Sequence, residues 1–516
     1  MAVTTFAAID IGAYEVSMKI FELSKKQGIK QIDYPRYRIE LGRDTYKTGE
    51  IAIEQLHKLC EILCDFSQIM KEYGVTEYRA CATSSIRELR NPDILLEQIH
   101  QKTGITVEIL SNSKQRFLGY KSIASIEEDF KEIIQKGTAI VDVGGGSVQI
   151  SLFDNDALVA TQNLKLGNLR IRERLSLLEK ESTHYEELIH DFIFNEVMSF
   201  KRLYVKDRVI ENVILQGDFL VEAMFPSTAG KGRIQKAEFD ERYEMLVHKS
   251  EADMAAQLGI PLEYASLVVP TAVLYKSFID MFQAETMWVP GTVLEDGLAY
   301  HFAEENKFIK PVHNFERDII IAAKNIAKRY SSNQTHTKAV AEIALKMFDS
   351  MRKIHGLSAR ERLLLHIAAL LHDCGKYISL ANAQLSSYNI IMSTEIIGLS
   401  HEEREMIAHI VRYNTMSLPA YSCLHRESDL TLQEYLIITK LIALLRIANE
   451  LDRSHHQKVK DVQIRWGKNK MQLIVDVTKD FSLEVGLVPD KIDFFESVFD
   501  VRPVIKRSKS TKGGNA

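Results

Sequence analysis

The chain has 516 residues, 46% hydrophobic and 26% charged, with 25 glycines and 10 prolines. That usage excludes collagen-like, low-complexity and largely disordered classes, and at roughly 100–200 residues per domain the length calls for three or four domains. Sixty-five Lys and Arg against 70 Asp and Glu give a formal charge of −5, so no global field recruits nucleic acid or an anionic membrane, and neither DNA nor a membrane is an expected partner.

Five cysteines without a CxxC spacing make neither a disulfide framework nor a zinc knuckle, and Cys60 and Cys64 read as two buried thiols on an apolar helix. The first residues lack the basic and apolar regions of a signal peptide, and no apolar run approaches about 18 residues. A soluble cytoplasmic protein is the expectation.

The first element is an apolar run, Ile9-Asp10-Ile11-Gly12, followed by period-two alternation through Val16, Met18 and Ile20. The pattern returns at Val141-Asp142-Val143-Gly144, with Val148, Ile150 and Leu152. Both copies predict a strand, a tight turn and a returning strand, and the repetition predicts two similar α/β lobes facing one another. Between and after the hairpins, helices are expected near 51–73, 92–102 and 114–134, with strands at 78–82, 106–110 and 209–216. From about Asn314 the periodicity turns helical, and 10 of the 16 histidines lie beyond residue 310. Alternation returns at 461–466 and 471–477 around a turn at 467–469, and a helix is expected at 489–499. The basic, Ser/Gly-rich tail from 506 reads as disordered. The expected domains are thus two lobes, 1–125 and 126–305, a helical domain, 315–456, a β-rich segment, 457–505, and a tail, 506–516.

Asp142 through Ser147 carry three successive glycines after a strand. Gly144, Gly145 and Gly146 remove the Cβ atoms that would keep a phosphate from backbone N–H groups, and Asp142 at the strand end is placed to hold Mg²⁺. A glycine-rich turn with an exposed aspartate is the plainer reading of this loop alone. The second Asp-x-Gly turn, with Asp10 and Gly12, favours a phosphate clamp.

With these motifs the sequence resembles the exopolyphosphatase and guanosine pentaphosphate phosphohydrolase (Ppx/GppA) family. The segments that carry the resemblance are Asp10-Ile11-Gly12-Ala13-Tyr14, Thr83-Ser84-Ser85-Ile86-Arg87, Ser111-Asn112-Ser113-Lys114-Gln115-Arg116, Asp142 through Gln149, and Gly167-Asn168-Leu169-Arg170. The resemblance implies duplicated actin-like (ribonuclease H-like) α/β lobes, an all-α HD-type domain and a small α+β C-terminal segment. It further implies Mg²⁺- or Mn²⁺-assisted attack of water on a terminal phosphate of polyphosphate or a guanosine penta/tetraphosphate (pppGpp), with Ser147, Arg87 and Arg170 as phosphate contacts, and a homodimer.

Two glutamates expected as base or water-positioner and as metal or water ligand read Gln115 and Gln149. An amide orients water but does not accept its proton at neutral pH. Ala13-Tyr14 stands where Ser-Asn is expected, Asp218 where an anion would sit, and Glu295 in place of an arginine. Weakened hydrolysis is one implication, and an inactive homologue that senses phosphate, polyphosphate or nucleotide is the other.

Leu370-Leu371-His372-Asp373 resembles the signature of HD phosphohydrolases, which implies a metal site of His336, His372, Asp373 and Asp452. The family-like aspartate position reads Asn449, and a His-Asp pair capping helices in a metal-free domain is the plainer reading. His366 reads as a core histidine, and His455-His456 as a solvated pair after a helix end.

Overall fold

The computed structural model describes residues 3–126, 130–179, 184–225, 233–311, 313–428, 430–467 and 470–508. They form two compact units, Met1–Phe315 and Glu316–Ala516.

The first unit is built on two six-stranded sheets. Strands β1 (Thr4–Ile11), β2 (Glu15–Ser24), β3 (Gly28–Asp33) and β4 (Arg36–Arg38) are joined by β5 (Glu77–Ala82) and β6 (Val107–Ile109). The second sheet takes β7 (Thr138–Val143), β8 (Val148–Asp154), β9 (Ala157–Leu164), β10 (Asn212–Gly217), β11 (Arg233–Gln235) and β12 (Thr286–Trp288). The order β3-β2-β1-β5-β6 in one is matched by β9-β8-β7-β10-β12 in the other. In each, an antiparallel hairpin is extended by parallel strands reached through helical crossovers, which is the actin-like arrangement. The repeated Asp-x-Gly motif therefore closes the same hairpin in both lobes. Strands β3, β9 and the edge strand β11 have too weak an apolar alternation to be read from sequence.

Burial follows the alternation. Ala7, Ile9, Ile11, Val16, Met18 and Ile20 pack on Leu59, Leu63 and Phe66 of the helix Ile53–Glu72. Cys60 is buried in that contact while Cys64, expected to be buried, faces outward, because the helix turns it off the apolar stripe. The second core centres on the helix Val268–Phe282, whose residues are almost all buried. The segment Leu262–Phe282 is long and apolar enough to cross a membrane by composition, but it is a core element.

The helix Leu294–Glu305, within the bounds 126–305 expected for the second lobe, packs on the first sheet. Leu298, Ala299, Phe302 and Ala303 cover Phe6, Ala8, Phe21 and Leu23, the face of β1 and β2 that the helix 53–72 leaves open. Gly297 lets the same helix lie closely against the helix Asn112–Ile126, since a Cβ there would strike the Leu118 carbonyl. We expect Gly297→Ala to cost about 1–3 kcal/mol, read as a lower urea midpoint at unchanged slope. An unchanged midpoint would show that this helix is not so closely packed.

The second unit is helical from Phe315–Arg329 to Leu432–Glu450. Several of its helices start at side-chain caps, with capping boxes at Ser358, Ser400 and Thr431. A three-stranded sheet follows, β13 (Val459–Gly467), β14 (Lys470–Val477) and β15 (Arg502–Arg507), with the helix Pro489–Phe499 before β15. Residues 506 and 507 belong to β15 rather than to a disordered tail, because they continue its pairing with β14. Residues 468 and 469 of the expected turn, and the tail from 509, lie outside the described residues.

Candidate functional site

The two Asp-x-Gly turns face each other across one cleft lined by Asp10, Gly12, Tyr14, Glu15, Gln115, Asp142, Gly144–Gly146, Ser147, Gln149, Asp218 and Glu295. A Cβ on Gly145 would lie 2.9 Å from the Cβ of Ala13 in the opposite turn, which sets how closely the lobes approach.

Each turn is gripped from behind. In the second, the carbonyls of Gly144 and Gly145 accept from the N–H groups of Asn168 (3.1 Å) and Arg170 (3.0 Å), and Arg170 Nε donates to the Gly146 carbonyl (2.8 Å). In the first, the carbonyls of Gly12, Ala13 and Tyr14 accept from Ser85 Oγ (3.1 Å), Gly42 N (2.8 Å) and Ile39 N (3.0 Å). A peptide N–H points opposite to the carbonyl of its own plane. The amides of 13–15 and 145–147 are therefore turned away from those partners, and their residues line the cleft. Two opposed runs of three N–H groups are thus left available to cradle an anion.

Around the cradle stand five carboxyl groups. Burial is the main cause that raises Asp10, with further upward pushes from Glu295, Glu15 and Asp142. Asp142 is pushed up to about 6 by burial, opposed by the guanidinium of Arg116, and Asp218 to about 6 by burial. Glu15 reaches about 7, driven by burial and opposed by Arg36 and by the hydroxyl of Tyr264, which donates to its Oε2 (2.9 Å). Glu295 is raised by burial, opposed by Lys19 and by Ser17 Oγ, which donates to Oε1 (2.6 Å). Buried carboxyls that repel one another fit a divalent cation, and two oxygens of the cleft residues, Asp10 Oδ1 and Gln149 Oε1, are buried without a hydrogen-bond partner. Asp10 and Asp142 sit at matching ends of β1 and β7 and have the hard oxygen donors that Mg²⁺ or Mn²⁺ takes.

Gln115 and Gln149 both line the cleft, Gln149 directly opposite Asp142 in the β7–β8 register. Ser147 is also there, with 8% exposure. Arg87 lies outside this lining and donates to the Leu110 carbonyl and, at 3.4 Å, to Gln115 Oε1. Arg170 is bonded to both oxygens of Glu88 (2.7 and 2.8 Å) and to the glycine loop, and stacks on Tyr46. Its charge is balanced, and it shapes the loop.

Tyr14 does not block the cradle. Its hydroxyl donates to the Glu263 carbonyl, and its ring lies edge-on to Tyr264 beside Arg38 and Arg172. Asp218 caps the short helix Phe219–Met224 with its own carboxylate, accepting from Leu220 N (3.0 Å), and so occupies an N–H group that an outside anion would use.

Glu15 was not legible as a site residue from the motifs, yet the signal was present. Glu15, Ser17 and Lys19 form the polar stripe of β2, opposite the apolar Val16, Met18 and Ile20. Ser17 reaches Glu295, and Lys19 reaches Asp296 (2.8 Å).

In the second unit, His336, His372, Asp373 and Asp452 are brought together. His336 Nδ1 lies 2.8 Å from Asp452 Oδ2 and His336 Nε2 lies 3.2 Å from His372 Nε2. Asp373 pairs with Lys376 (2.7 Å). His455 is not solvated as expected: it is half-buried, stacks on His336 at 3.5 Å, and has a left-handed backbone (φ 55°). His456 is exposed. His366 is half-buried on its helix, and burial holds its imidazole down to about 4.

Residues 21–306 match the family described as Ppx/GppA phosphatase, and residues 320–493 match Ppx/GppA phosphatase, domain III. A bifunctional 3-dehydroquinate synthase/phosphatase of Fusobacterium nucleatum is 27% identical over 252 residues, 48% of this chain and 35% of that protein. The chain thus spans about a third of the length of that relative. A guanosine-5'-triphosphate,3'-diphosphate pyrophosphatase of Vibrio atlanticus is 21% identical over 85% of this chain and 86% of its own. An exopolyphosphatase crystal structure from Cytophaga hutchinsonii superposes with a TM-score of 0.51 at 18% identity, covering 58% of this chain and 98% of that one.

Proposed function

As the chain belongs to the Ppx/GppA phosphatase family, we propose that its cleft binds terminal phosphates of inorganic polyphosphate or of a guanosine penta/tetraphosphate and hydrolyses the terminal anhydride slowly. The observation that carries this reading is the pair of opposed turns, each with three consecutive carbonyls held from behind.

In this reading the amides of 13–15 and 145–147 cradle the phosphoryl oxygens, where charge grows in the transition state. Asp10 and Asp142 would hold Mg²⁺ or Mn²⁺, which when bound neutralises phosphoryl charge. Gln115 and Gln149 orient water through their amide oxygens and do not keep its proton. Glu15, raised to about 7, is the carboxylate suited to accept it near neutral pH. A second reading, binding without turnover, is favoured by Gln115 and Gln149.

The test is phosphate release from long-chain polyphosphate and from pppGpp with Mg²⁺ or Mn²⁺. Asp142→Asn is expected to lower a measurable wild-type rate at least about tenfold, and Glu15→Gln about 10²–10⁴-fold. No release, with a melting temperature raised by either ligand, selects binding without turnover. Neither release nor a thermal shift would sink both readings.

A further inference from the structure

A groove on the second lobe has an unpaired hydroxyl at its floor. It runs between the helices Tyr185–Phe200 and Val268–Phe282, with Tyr243 of the helix Lys236–Val247 on its third side. Ser277 lines it, 8% exposed, and its Oγ has no hydrogen-bond partner among the described residues. A helical serine or threonine ordinarily gives its hydroxyl to the carbonyl four residues back, as Thr271 of the same helix does to Leu267 (2.7 Å). Ser277 does not, and a buried hydroxyl without a partner is destabilising unless something outside the chain meets it.

The rest of the groove is apolar and suits one ring. Ile193, Val197, Val273 and Met281 are its buried walls, and Phe194 and Met198, 52% and 40% exposed, edge its mouth. Its volume is about 150 Å³, and an apolar cavity of that size accepts a benzene-sized molecule. The two methionines favour an aromatic occupant, since thioether sulfur packs well against rings and the unbranched side chain adapts to their shape.

The lysine and aspartate at its edge are already matched. Lys276 reaches Asp240 (3.0 Å) and Asp280 (2.7 Å), and Lys236 reaches the same two carboxylates (3.1 and 2.6 Å). Two cations and two anions cancel, so an ionic ligand finds no free counter-charge among these four. His190 stands on the exposed side, where its ring meets that of Phe194 at 5.9 Å. The groove is also distinct from the cleft. At 3.6 residues per turn, Thr271 and Tyr275 lie on the side of their helix away from Val273 and Ser277, and they meet Asn168 Nδ2 (2.9 Å) and the Gln216 carbonyl.

We propose that this groove binds a neutral single-ring aromatic molecule with one hydrogen-bonding substituent, a phenol in the simplest case. The ring lies among Phe194, Val197, Met198 and Met281, and its substituent pairs with Ser277 Oγ. The apolar body answers the walls, the substituent satisfies the buried hydroxyl, and the lack of charge avoids desolvating an ion beside a network that is already neutral. An aliphatic alcohol also pairs with Ser277, but it forgoes the ring contacts that Phe194, Tyr243 and the two thioethers offer.

The test follows the fluorine resonance of 4-fluorophenol added to the full chain. We expect saturable binding at one site in the millimolar range or tighter, stronger than that of fluorobenzene by about twofold to tenfold, the range of one hydrogen bond. Ser277→Ala should lower the affinity for 4-fluorophenol by that factor and leave fluorobenzene as it was. Met281→Trp, which fills the groove, should abolish both, while Asp142→Asn in the cleft should alter neither. Matching circular dichroism and melting of the variants controls for folding. No saturation in that range, equal binding of 4-fluorophenol and fluorobenzene, an affinity for 4-fluorophenol indifferent to Ser277→Ala, or binding lost with Asp142→Asn overturns the assignment. A dimer in sedimentation that Phe194→Ser disperses would mean that a second copy covers the groove, and would overturn it as well.

Discussion

Gln149→Glu, alone and with Gln115→Glu, is expected to raise Mg²⁺-dependent phosphate release by about 10²–10⁴-fold, the range a positioned base contributes. Gln149 is 2% exposed, its Oε1 has no hydrogen-bond partner, and it stands opposite Asp142 across the β7–β8 ladder. A carboxylate there would add an acceptor for the water proton and a hard oxygen beside Asp142. It would also put like charges opposite each other on one sheet face, which is destabilising. The same variant should therefore melt lower than wild type in chelator and regain the difference when Mg²⁺ is added. Measured side by side, the two effects must move in opposite directions. A Gln149→Glu variant with unchanged turnover and unchanged melting in chelator would remove Gln149 from the working part of the cleft.

The second large effect is on stability. Glu15 titrates at about 7 in the folded chain against 4.5 when free. Between those values the folded protein holds a proton that the unfolded chain releases, so stability is greatest below the lower value and falls as pH rises through the window. A shift of this size corresponds to a loss on the order of 3 kcal/mol by pH 8. Asp142 and Asp218, each raised from 3.8 to about 6, add losses of the same sign at lower pH. Glu15→Gln keeps an oxygen for the hydroxyl of Tyr264 and removes the titration. Urea midpoints in chelator at pH 5 and pH 8 should differ clearly in wild type and much less in Glu15→Gln. Equal pH dependence in the two proteins would mean that Glu15 is not held in its neutral form by the cleft.

Much of the fold was legible because its strongest signals are local. The Asp-x-Gly hairpins, the helix 489–499 and the change to helical periodicity after residue 314 depend on alternation and capping that neighbouring residues specify. The packing of the helix 294–305 was not legible, because its sequence shows an apolar face without naming the sheet that face covers. In the cleft, the residues at the Asp-x-Gly turns could be read from their motif. The amide cradles could not, since they depend on carbonyls held by donors as distant as Ser85 and Arg170. Arg170 shows the limit plainly: an arginine beside a glycine loop suggests a phosphate contact, and only the position of Glu88 reveals that its charge is already balanced. His455 was read as solvated because a histidine pair after a helix end looks solvated until the turn around Asp452 folds it back.

The return of helix 294–305 to the first sheet has a consequence for synthesis. Phe6, Ala8, Phe21 and Leu23 leave the ribosome well before the helix that covers them, which is made nearly 300 residues later. At roughly 5–20 residues per second, that apolar face waits some tens of seconds for its cover. The nascent first lobe is therefore a natural client for a holding chaperone, and truncation before residue 294 should release it as an aggregating fragment rather than as a folded domain.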